Sequence, residues 1–234
     1  MILTIHPLLG IPEVHLHDHL PRLLLDALVR TGVTLLVGDV LVVTHKVVSK
    51  AEGAVRILEG DDEQAYRALV LEEAAEVIRR RGDLVIAKTR HGFICANAGV
   101  DRSNAAPGTA VLLPRDPDAS AHGIRMAIRA ETGVDVPVII SDTFGRPWRR
   151  GLTDVAIGIS GMAAILDLKG TSDAAGRELH VTEVAVADEI AAAADLVMGK
   201  ATSTPAALVR GVEYPKGEGR AVDLVRPAEE DLFR

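Results

Sequence analysis

Two nearly continuous apolar runs constrain the fold of this chain more than any other feature. Residues Val40–Thr44 and residues 136–140 are dominated by Val, Leu and Ile, and neither run alternates with polar residues. A strand with one solvated face alternates apolar and polar side chains, whereas a strand buried on both faces reads as a continuous apolar run. The two runs therefore predict buried strands.

The remaining pattern predicts a strand-rich chain. Further strands are expected at residues 2–6, 84–88, 93–96, 111–113, 155–159, 163–168 and 207–209, and helices at 19–30, 63–81, 120–130 and 183–198. Because strands outnumber helices and several are spaced as hairpins, we expect a mixed α+β fold with largely antiparallel sheets and flanking helices. The length of 234 residues and the absence of a low-complexity linker predict a single domain over residues 1–234, with two interleaved lobes as the alternative.

Composition excludes several functional classes. The formal net charge of −7 disfavours non-specific nucleic-acid binding, which needs Lys and Arg to neutralise phosphates. Cys95 is the single cysteine, so no intrachain disulfide can form, which favours a reducing compartment. The chain begins without a basic segment followed by a long apolar one, and no apolar run is long enough to span a bilayer. We expect a cytoplasmic protein with no nucleic-acid or membrane partner.

A first polar cluster, residues 44–53, follows the first buried run. It contains Lys46, Ser49, Lys50 and Gly53. A lysine at a strand end can serve as a point charge for a phosphate. An ordinary solvated connection explains the same residues, and for this cluster taken alone the solvated connection is favoured.

A second polar cluster, residues 96–104, contains Asn97, Gly99, Asp101 and Asn104. Such a loop can present backbone N–H groups and a carboxylate to one ligand. Asn and Asp also favour turns through their own backbone hydrogen bonds, so an Asx-rich turn is an equally good interpretation.

A third polar cluster, residues 141–151, directly follows the second buried run. Asp142 beside the hydroxyl of Thr143 is typical of a site for a hard divalent cation with oxygen ligands. Arginine forks bind phosphate and carboxylate, and a solvated turn does not explain why Trp148 lies among three of them. The arginines are Arg146, Arg149 and Arg150. This cluster favours a functional site, although neither common glycine-rich nucleotide motif is present.

Taken in this order, the three clusters resemble the coenzyme F-420-0:L-glutamate ligase family. The segments that carry the resemblance are GDVLVVTHKVVSKAEG, FICANAGVDRSN, LLPRDPDASAHGIR, VIISDTFGRPWRRGLTDVAIGISGM and VADEIAAAADLVMGKATSTPAALVRG. The likeness extends over residues 5–211. Some relatives carry an additional C-terminal flavin-binding reductase domain, and we expect none in this chain.

The resemblance implies a reaction. A carboxylate on the deazaflavin precursor F-420-0 would be activated by GTP as an acyl phosphate, and the amine of L-glutamate would then form an amide, with further gamma-linked glutamates as an extension. The family implies Mg²⁺ or Mn²⁺, two ions in all, with K⁺ as a further candidate, and it implies a homodimer.

Two alternatives stay open, a ligase on the same scaffold with another anionic acceptor and a non-catalytic nucleotide-binding module. A pure binder would not need the complete metal set of Asp101, Asp142 and Thr143.

The resemblance also assigns roles to residues. It implies metal binding by Asp101 and Asp142, with Thr143 on the second ion, and we add Arg146 to the two carboxylates as a catalytic candidate for anionic substrates because of its charge. Lys200 stands where some relatives have Gln. The residues expected to contact the nucleotide are Gly10, Ile11, Pro12, His45, Lys46, Lys50, Asn104, Gly199, Lys200, Ala201, Thr202, Ser203, Thr204, Pro205 and Ala206.

Several acidic residues have ordinary structural interpretations. Asp116 and Asp118 are expected to form a turn and to cap the following helix. Asp188 and Glu189 are open between surface charges and support for the metal site.

Overall fold

The computed structural model describes residues 2–59, 63–200 and 202–232. Its helices are α1 (Leu20–Thr31), α2 (His45–Glu52), α3 (Glu63–Glu73), α4 (Pro117–Thr132) and α5 (Val186–Met198). Its strands are β1 (Thr4–Pro7), β2 (Val40–Thr44), β3 (Val55–Ile57), β4 (Ala74–Arg81), β5 (Leu84–Thr89), β6 (Ile94–Ala96), β7 (Thr109–Val111), β8 (Val138–Arg146), β9 (Arg149–Ser160), β10 (Leu166–Asp167), β11 (Glu183–Val184) and β12 (Ala206–Arg210).

The main sheet has the strand order β1-β12-β2-β8-β9. Strands β2 and β8 are parallel, and the other neighbouring pairs are antiparallel. Both predicted buried runs lie at its centre, and the side chains from Val40 to Val43 and from Val138 to Ile140 are fully buried. Helices α4 and α5 pack against β9, and the core between the layers is aliphatic. The mixed, largely antiparallel α+β fold is confirmed.

A second, smaller hydrophobic core belongs to the segment between α2 and α4. It packs α3 against the antiparallel sheet β4-β5-β6, and β7, which pairs with β3, contributes Ala110 to it. Its buried members are Leu58, Leu69, Val70, Val85, Ala87, Ala98, Val100, Ala110 and Leu112. The domain organisation expected from length stays a prediction.

The predicted helix over residues 63–81 is wrong in its second half. Helix α3 ends at Glu73, and β4 begins at the next residue. Gly82, with φ of 58°, and Asp83 form a tight turn that folds β4 back on β5, with Arg81 opposite Leu84. Pairing with β5 overrides the local helical pattern, because a strand stabilised by a neighbour does not depend on intrinsic propensity alone.

Other boundaries also differ. Residues 45–52 form the partly buried helix α2 and not the solvated connection that the first polar cluster favoured, and Gly53 ends this helix in a left-handed conformation. Strand β8 continues through the polar cluster to Arg146, so this cluster lies within a long hairpin with β9 and not beyond a strand end. The strand expected at 163–168 shortens to β10, and the helix expected at 183–198 begins at Val186. Within the described ranges, no helix is long and apolar enough to cross a membrane.

Candidate active site

A cavity of about 270 Å³ opens at the carboxyl end of β2, where its parallel pairing with β8 stops at Thr44 and Ser141. The end of β2, the following helix α2, the C-terminal end of α5 and the segment leading to β12 surround it. In α/β sheets, ligands commonly bind outside the carboxyl ends of parallel strands. Of the predicted site residues, those that line it are Ile11, Pro12, Lys46, Lys50, Asn104, Asp142, Thr143, Gly199, Lys200, Ser203, Thr204 and Pro205.

Helix α2 presents two lysines to this cavity. Lys46 and Lys50 are four residues apart and therefore share a helix face. The Lys46 ammonium donates to the Asp101 carboxylate at 2.7 Å, and the Lys50 ammonium contacts Glu13 at 2.5 Å. Lys50 also donates to the backbone oxygen of Asn104 at 2.8 Å. Both ammonium groups are thereby held at the cavity wall, between α2 and the loop at residues 101–104.

Asp101 reaches the cavity through Lys46 and does not itself line it. Its carboxylate accepts from Ser103 at 2.6 Å (backbone N–H) and 2.8 Å (hydroxyl). Burial raises the pKa of Asp101, but the hydrogen bonds from Lys46 and Ser103 and the charge of Lys46 outweigh burial and lower the pKa. Asp101 is therefore a stable anion that orients Lys46.

Asp142 lies between the cavity and a buried histidine. His45 is 1% exposed, and its Nε2 lies 3.2 Å from Asp142 Oδ1, although Nε2 makes no well-aligned hydrogen bond. The backbone N–H of Thr143 donates to the same oxygen at 2.7 Å. The structure places His45 beneath Asp142 and outside the cavity lining, so its direct role here is to support the carboxylate.

Asp154 is a cavity residue that the sequence analysis missed. It is 3% exposed, and it accepts hydrogen bonds from Ser141 Oγ at 2.8 Å and from Thr143 Oγ1 at 2.6 Å. It stands directly opposite Thr143 across the β8-β9 hairpin. A hairpin register extended without interruption from the turn at 147–148 would have paired Thr143 with Leu152. The register shift between Gly145 and Arg146 brings Asp154 opposite Thr143 instead, and no signal in the sequence indicated this shift.

Lys200 faces the same carboxylate from the end of α5. Its ammonium lies 3.0 Å from Asp154 and 3.4 Å from Asp195, and it also contacts the hydroxyl of Thr143. Burial lowers the pKa of Lys200, but attraction by Asp154 and Asp195 outweighs burial and raises it. Asp195 and Glu13 are further cavity residues that the sequence analysis did not single out.

Some predicted residues lie elsewhere. Gly10, Thr202 and Ala206 do not line the cavity, although the Thr202 hydroxyl donates to the Met198 backbone oxygen and so closes the loop after α5. Arg146 lies at the exposed end of the hairpin, where its guanidinium donates to the Arg150 backbone oxygen at 3.0 Å. Ala201 lies outside the described residues.

Asp188 and Glu189 were left open between surface charges and metal-site support. Asp188 accepts from the Ala156 backbone N–H at 2.9 Å and therefore supports β9, and burial raises its pKa. Neither residue lines the cavity.

The donor set fits one hard cation better than two. The contacts of Asp142 that the described residues provide all go to Oδ1, which leaves Oδ2 for an oxygen-preferring ion. Thr143, where a second ion is expected, and Asp154 beside it are already in contact with the Lys200 ammonium. The described part of the chain brings no three His, Cys, Asp or Glu side chains together as a preformed ligand group.

Comparison with known proteins identifies the family. The sequence model of F420-0:Gamma-glutamyl ligase matches residues 9–211. The Coenzyme F420:L-glutamate ligase of Methanothermobacter thermautotrophicus is 45% identical over 96% of this chain and 96% of its own length. The proteins of the same name from Methanocaldococcus jannaschii and Methanopyrus kandleri are each 44% identical, over 84% of this chain and 85% and 86% of their own lengths. The chain belongs to the F420-0:gamma-glutamyl ligase family and is a ligase that forms carbon–nitrogen bonds.

Proposed function

We propose that this chain joins L-glutamate to the deazaflavin precursor F-420-0 in a reaction that consumes GTP. An oxygen of the acceptor carboxylate attacks the γ-phosphorus of GTP, and the bond to the bridging oxygen breaks, so that GDP leaves with the electron pair. The amine of L-glutamate then attacks the acyl carbon of the acyl phosphate and loses a proton. Phosphate leaves as the amide forms.

One observation carries the proposal. The cavity at the carboxyl end of β2, beside the middle of β8, holds the ammonium groups of Lys46 and Lys50 on one wall and the carboxylate of Asp142 on another. Phosphoryl transfer needs positioned positive charge around the phosphates and needs little covalent participation by the protein. The relatives that are 44–45% identical to this chain are named Coenzyme F420:L-glutamate ligase. Their names support the proposed choice of acceptor and of amino acid.

Each cavity wall has a part in this proposal. Lys46, oriented by Asp101, and Lys50, held by Glu13 and Asn104, supply charge to the triphosphate. Asp142 would hold a Mg²⁺ or Mn²⁺ ion, with His45 beneath it to restrict the rotation of the carboxylate. When bound, such an ion neutralises charge on the phosphates.

Residues after α5 supply a further wall for the nucleotide. Gly199, with φ of 61°, and Ser203, with φ of 54°, adopt left-handed backbone conformations, and Thr204 and Pro205 continue the wall. We assign the rest of this loop, together with Gly10 at the opposite rim, to the same nucleotide site by the family resemblance.

Substrate omission tests the proposal. The purified protein is incubated with GTP, Mn²⁺, L-glutamate and the deazaflavin acceptor, and products are identified by mass spectrometry. We expect the acceptor mass to rise by one glutamyl residue or more, with GDP and phosphate formed only in the complete mixture. ATP in place of GTP is the matched control for the nucleotide.

The outcomes separate the alternatives. GDP formation with another carboxylate acceptor, but not with the deazaflavin, would show a ligase of different specificity. Tight GTP binding without turnover of any acceptor would show a non-catalytic module, and no GTP binding would overturn the proposal.

A further inference from the structure

The ammonium group of Lys200 lies in a ring of oxygen atoms from three elements. Thr143 is on β8, Asp154 is on β9 and Asp195 is on α5. Lys200 Nζ contacts the Thr143 hydroxyl, and it lies 3.0 Å from Asp154 Oδ1 and 3.4 Å from Asp195 Oδ1. Two carboxylates and a hydroxyl are the ligand types that hard divalent cations select in proteins. Here a side-chain cation already lies among them.

Burial makes this cation necessary. Asp154 is 3% exposed, and its two oxygens accept from Ser141 and Thr143, which are neutral donors. A buried carboxylate is costly unless a positive charge compensates it. Among the described residues, Lys200 is the one whose positive charge forms an ion pair with Asp154. Asp195 is a second carboxylate beside this ammonium, with its Oδ1 at 3.4 Å from Nζ.

A divalent ion and this ammonium cannot share the site. Both would use Oδ1 of Asp154 and the hydroxyl of Thr143, where Lys200 now binds. An ion at the 2.0–2.6 Å typical of metal–oxygen bonds would also lie within a few ångström of Nζ, with strong repulsion between like charges. The oxygens of Asp142 do not contact Lys200, so the first cation position stays available.

We propose that the Lys200 ammonium is a built-in substitute for a second divalent cation at Thr143 and Asp154. The chain then binds one divalent ion, at Asp142, and not two. This inference rests on the proposed function for the identity of the site. The second cation position is then occupied at every metal concentration, because the Lys200 ammonium is tethered there. Only the position at Asp142 depends on added metal.

Replacement of the ammonium by a carboxylate tests the inference. Lys200→Glu removes the built-in cation and adds an oxygen ligand beside Thr143, Asp154 and Asp195. Arg56→Glu changes the net charge by the same amount at an exposed position of β3, away from the cavity, and is the matched control. Crystals of the three proteins are soaked in Mn²⁺ and GTP, and anomalous diffraction at the manganese edge counts and locates the ions.

We expect one ion, at Asp142, in the unchanged chain and in Arg56→Glu. In Lys200→Glu we expect a second ion, bound by Thr143 and Asp154. Two ions in the unchanged chain, or no additional ion in a folded Lys200→Glu protein, would overturn the inference. If Lys200→Glu does not fold, Lys200→Gln is used in its place. This substitution also removes the ammonium and supplies a neutral amide oxygen as a ligand, and we expect the same second ion to bind.

The test separates this inference from the proposed function. An ion that binds at Thr143 and Asp154 only in Lys200→Glu, with none at Asp142 in any chain, would support the role of Lys200 and contradict the proposed metal site at Asp142. Calorimetric titration with Mn²⁺ alone checks the same difference in solution.

Discussion

Asp142 is the single side chain on which the proposed chemistry depends most. It lies on β8, its Oδ1 is held by Thr143 and faces buried His45, and the cavity lies on its other side. A carboxylate held this way costs desolvation energy that a bound cation recovers. Burial of the Asp142 carboxylate therefore costs stability when no cation is bound, and the proposed cation binding explains why a carboxylate lies there.

We expect Asp142→Asn to fold and to lose activity by about two orders of magnitude or more, because the charge that holds the ion is removed while the shape is kept. The melting temperature without metal should not fall, since the buried charge is absent. Measurement of GDP release with both co-substrates, and of Mn²⁺ affinity by calorimetry, checks both points. Asp83→Asn, at an exposed turn, is the control. Normal Mn²⁺ affinity in Asp142→Asn would place the ion elsewhere.

Lys50→Ala should weaken GTP binding more than glutamate binding. A charge-assisted hydrogen bond is worth about 1.5–3 kcal/mol, which corresponds to about tenfold to a hundredfold in the GTP dissociation constant. The loss also leaves Glu13, its 2.5 Å partner, as an unpaired negative charge at the cavity rim. Calorimetric titrations with each ligand measure the two effects. Equal losses for GTP and glutamate would show that Lys50 does not face the phosphates.

At the scale of elements, the site depends on how closely helix α4 approaches strand β9. A Cβ atom on Gly158 would lie 2.4 Å from the backbone oxygen of Pro117, at the start of α4. Asp118 on α4 accepts from the backbone N–H of Ile159 at 2.9 Å, which holds the two elements in this contact. β9 also carries Asp154, so a shift of this strand moves the cavity wall.

We expect Gly158→Ala to lower the free energy of unfolding by about 1–3 kcal/mol, because overpacking against backbone atoms forces the helix to move. Gly123→Ala is the matched control, since Gly123 lies within α4 with no atom near the added methyl. That substitution should raise the free energy of unfolding by about 0.5–1 kcal/mol, because alanine favours the helix. Urea unfolding of both variants gives the two values, and equal effects would disprove the close contact.

At the scale of the whole molecule, Arg125 on α4 ties distant segments together. Its guanidinium binds Asp135 through two bonds of 2.7 and 2.8 Å, and it donates to Glu218 near the C-terminus at 2.7 Å. Hydrogen bonds from Arg125 lower the pKa of Asp135 and of Glu218. The segment after β12 is thereby joined to the main core.

These pKa shifts predict acid sensitivity. A carboxyl group with a lowered pKa in the folded chain adds stability above its unfolded pKa, near pH 4, and that contribution is lost as the pH falls through the folded value. We expect Arg125→Leu to be less stable than the unchanged chain at pH 6 and to lose less stability between pH 6 and pH 3. Urea unfolding at both pH values measures this. An identical pH dependence for the two proteins would show that the ion pairs of Arg125 do not cause the acid sensitivity.

We also expect a homodimer, as the family resemblance implies. The β8-β9 hairpin ends in exposed apolar side chains, with Trp148 at 86% and Leu152 at 67% exposure. Exposed apolar groups of this size are typical of association surfaces. Light scattering at micromolar concentration should give twice the chain mass of 24.8 kDa, and Leu152→Glu should shift the distribution towards the monomer. A monomeric unchanged chain would contradict this expectation.

The sequence by itself determined the buried strands and several element ends. Val40–Thr44 forms a central strand because a continuous apolar run has no face that water can cover. Asp116 caps α4 by accepting from the Ala119 backbone N–H at 3.0 Å, a contact that depends only on neighbours in sequence. The family resemblance carried by the sequence also named many of the residues that line the candidate cavity, and their roles stay predictions.

Only the tertiary structure decided which polar side chains meet. Strand β4 exists because β5 lies beside it, which no local pattern of residues 74–81 reveals. His45 turned out to be buried beneath Asp142, and Asp154 came into contact with Lys200, because the ends of β2 and α5 converge beside the middle of the β8-β9 hairpin. Local sequence determines conformations that neighbouring residues stabilise, whereas contacts between distant residues depend on the packing of the whole chain.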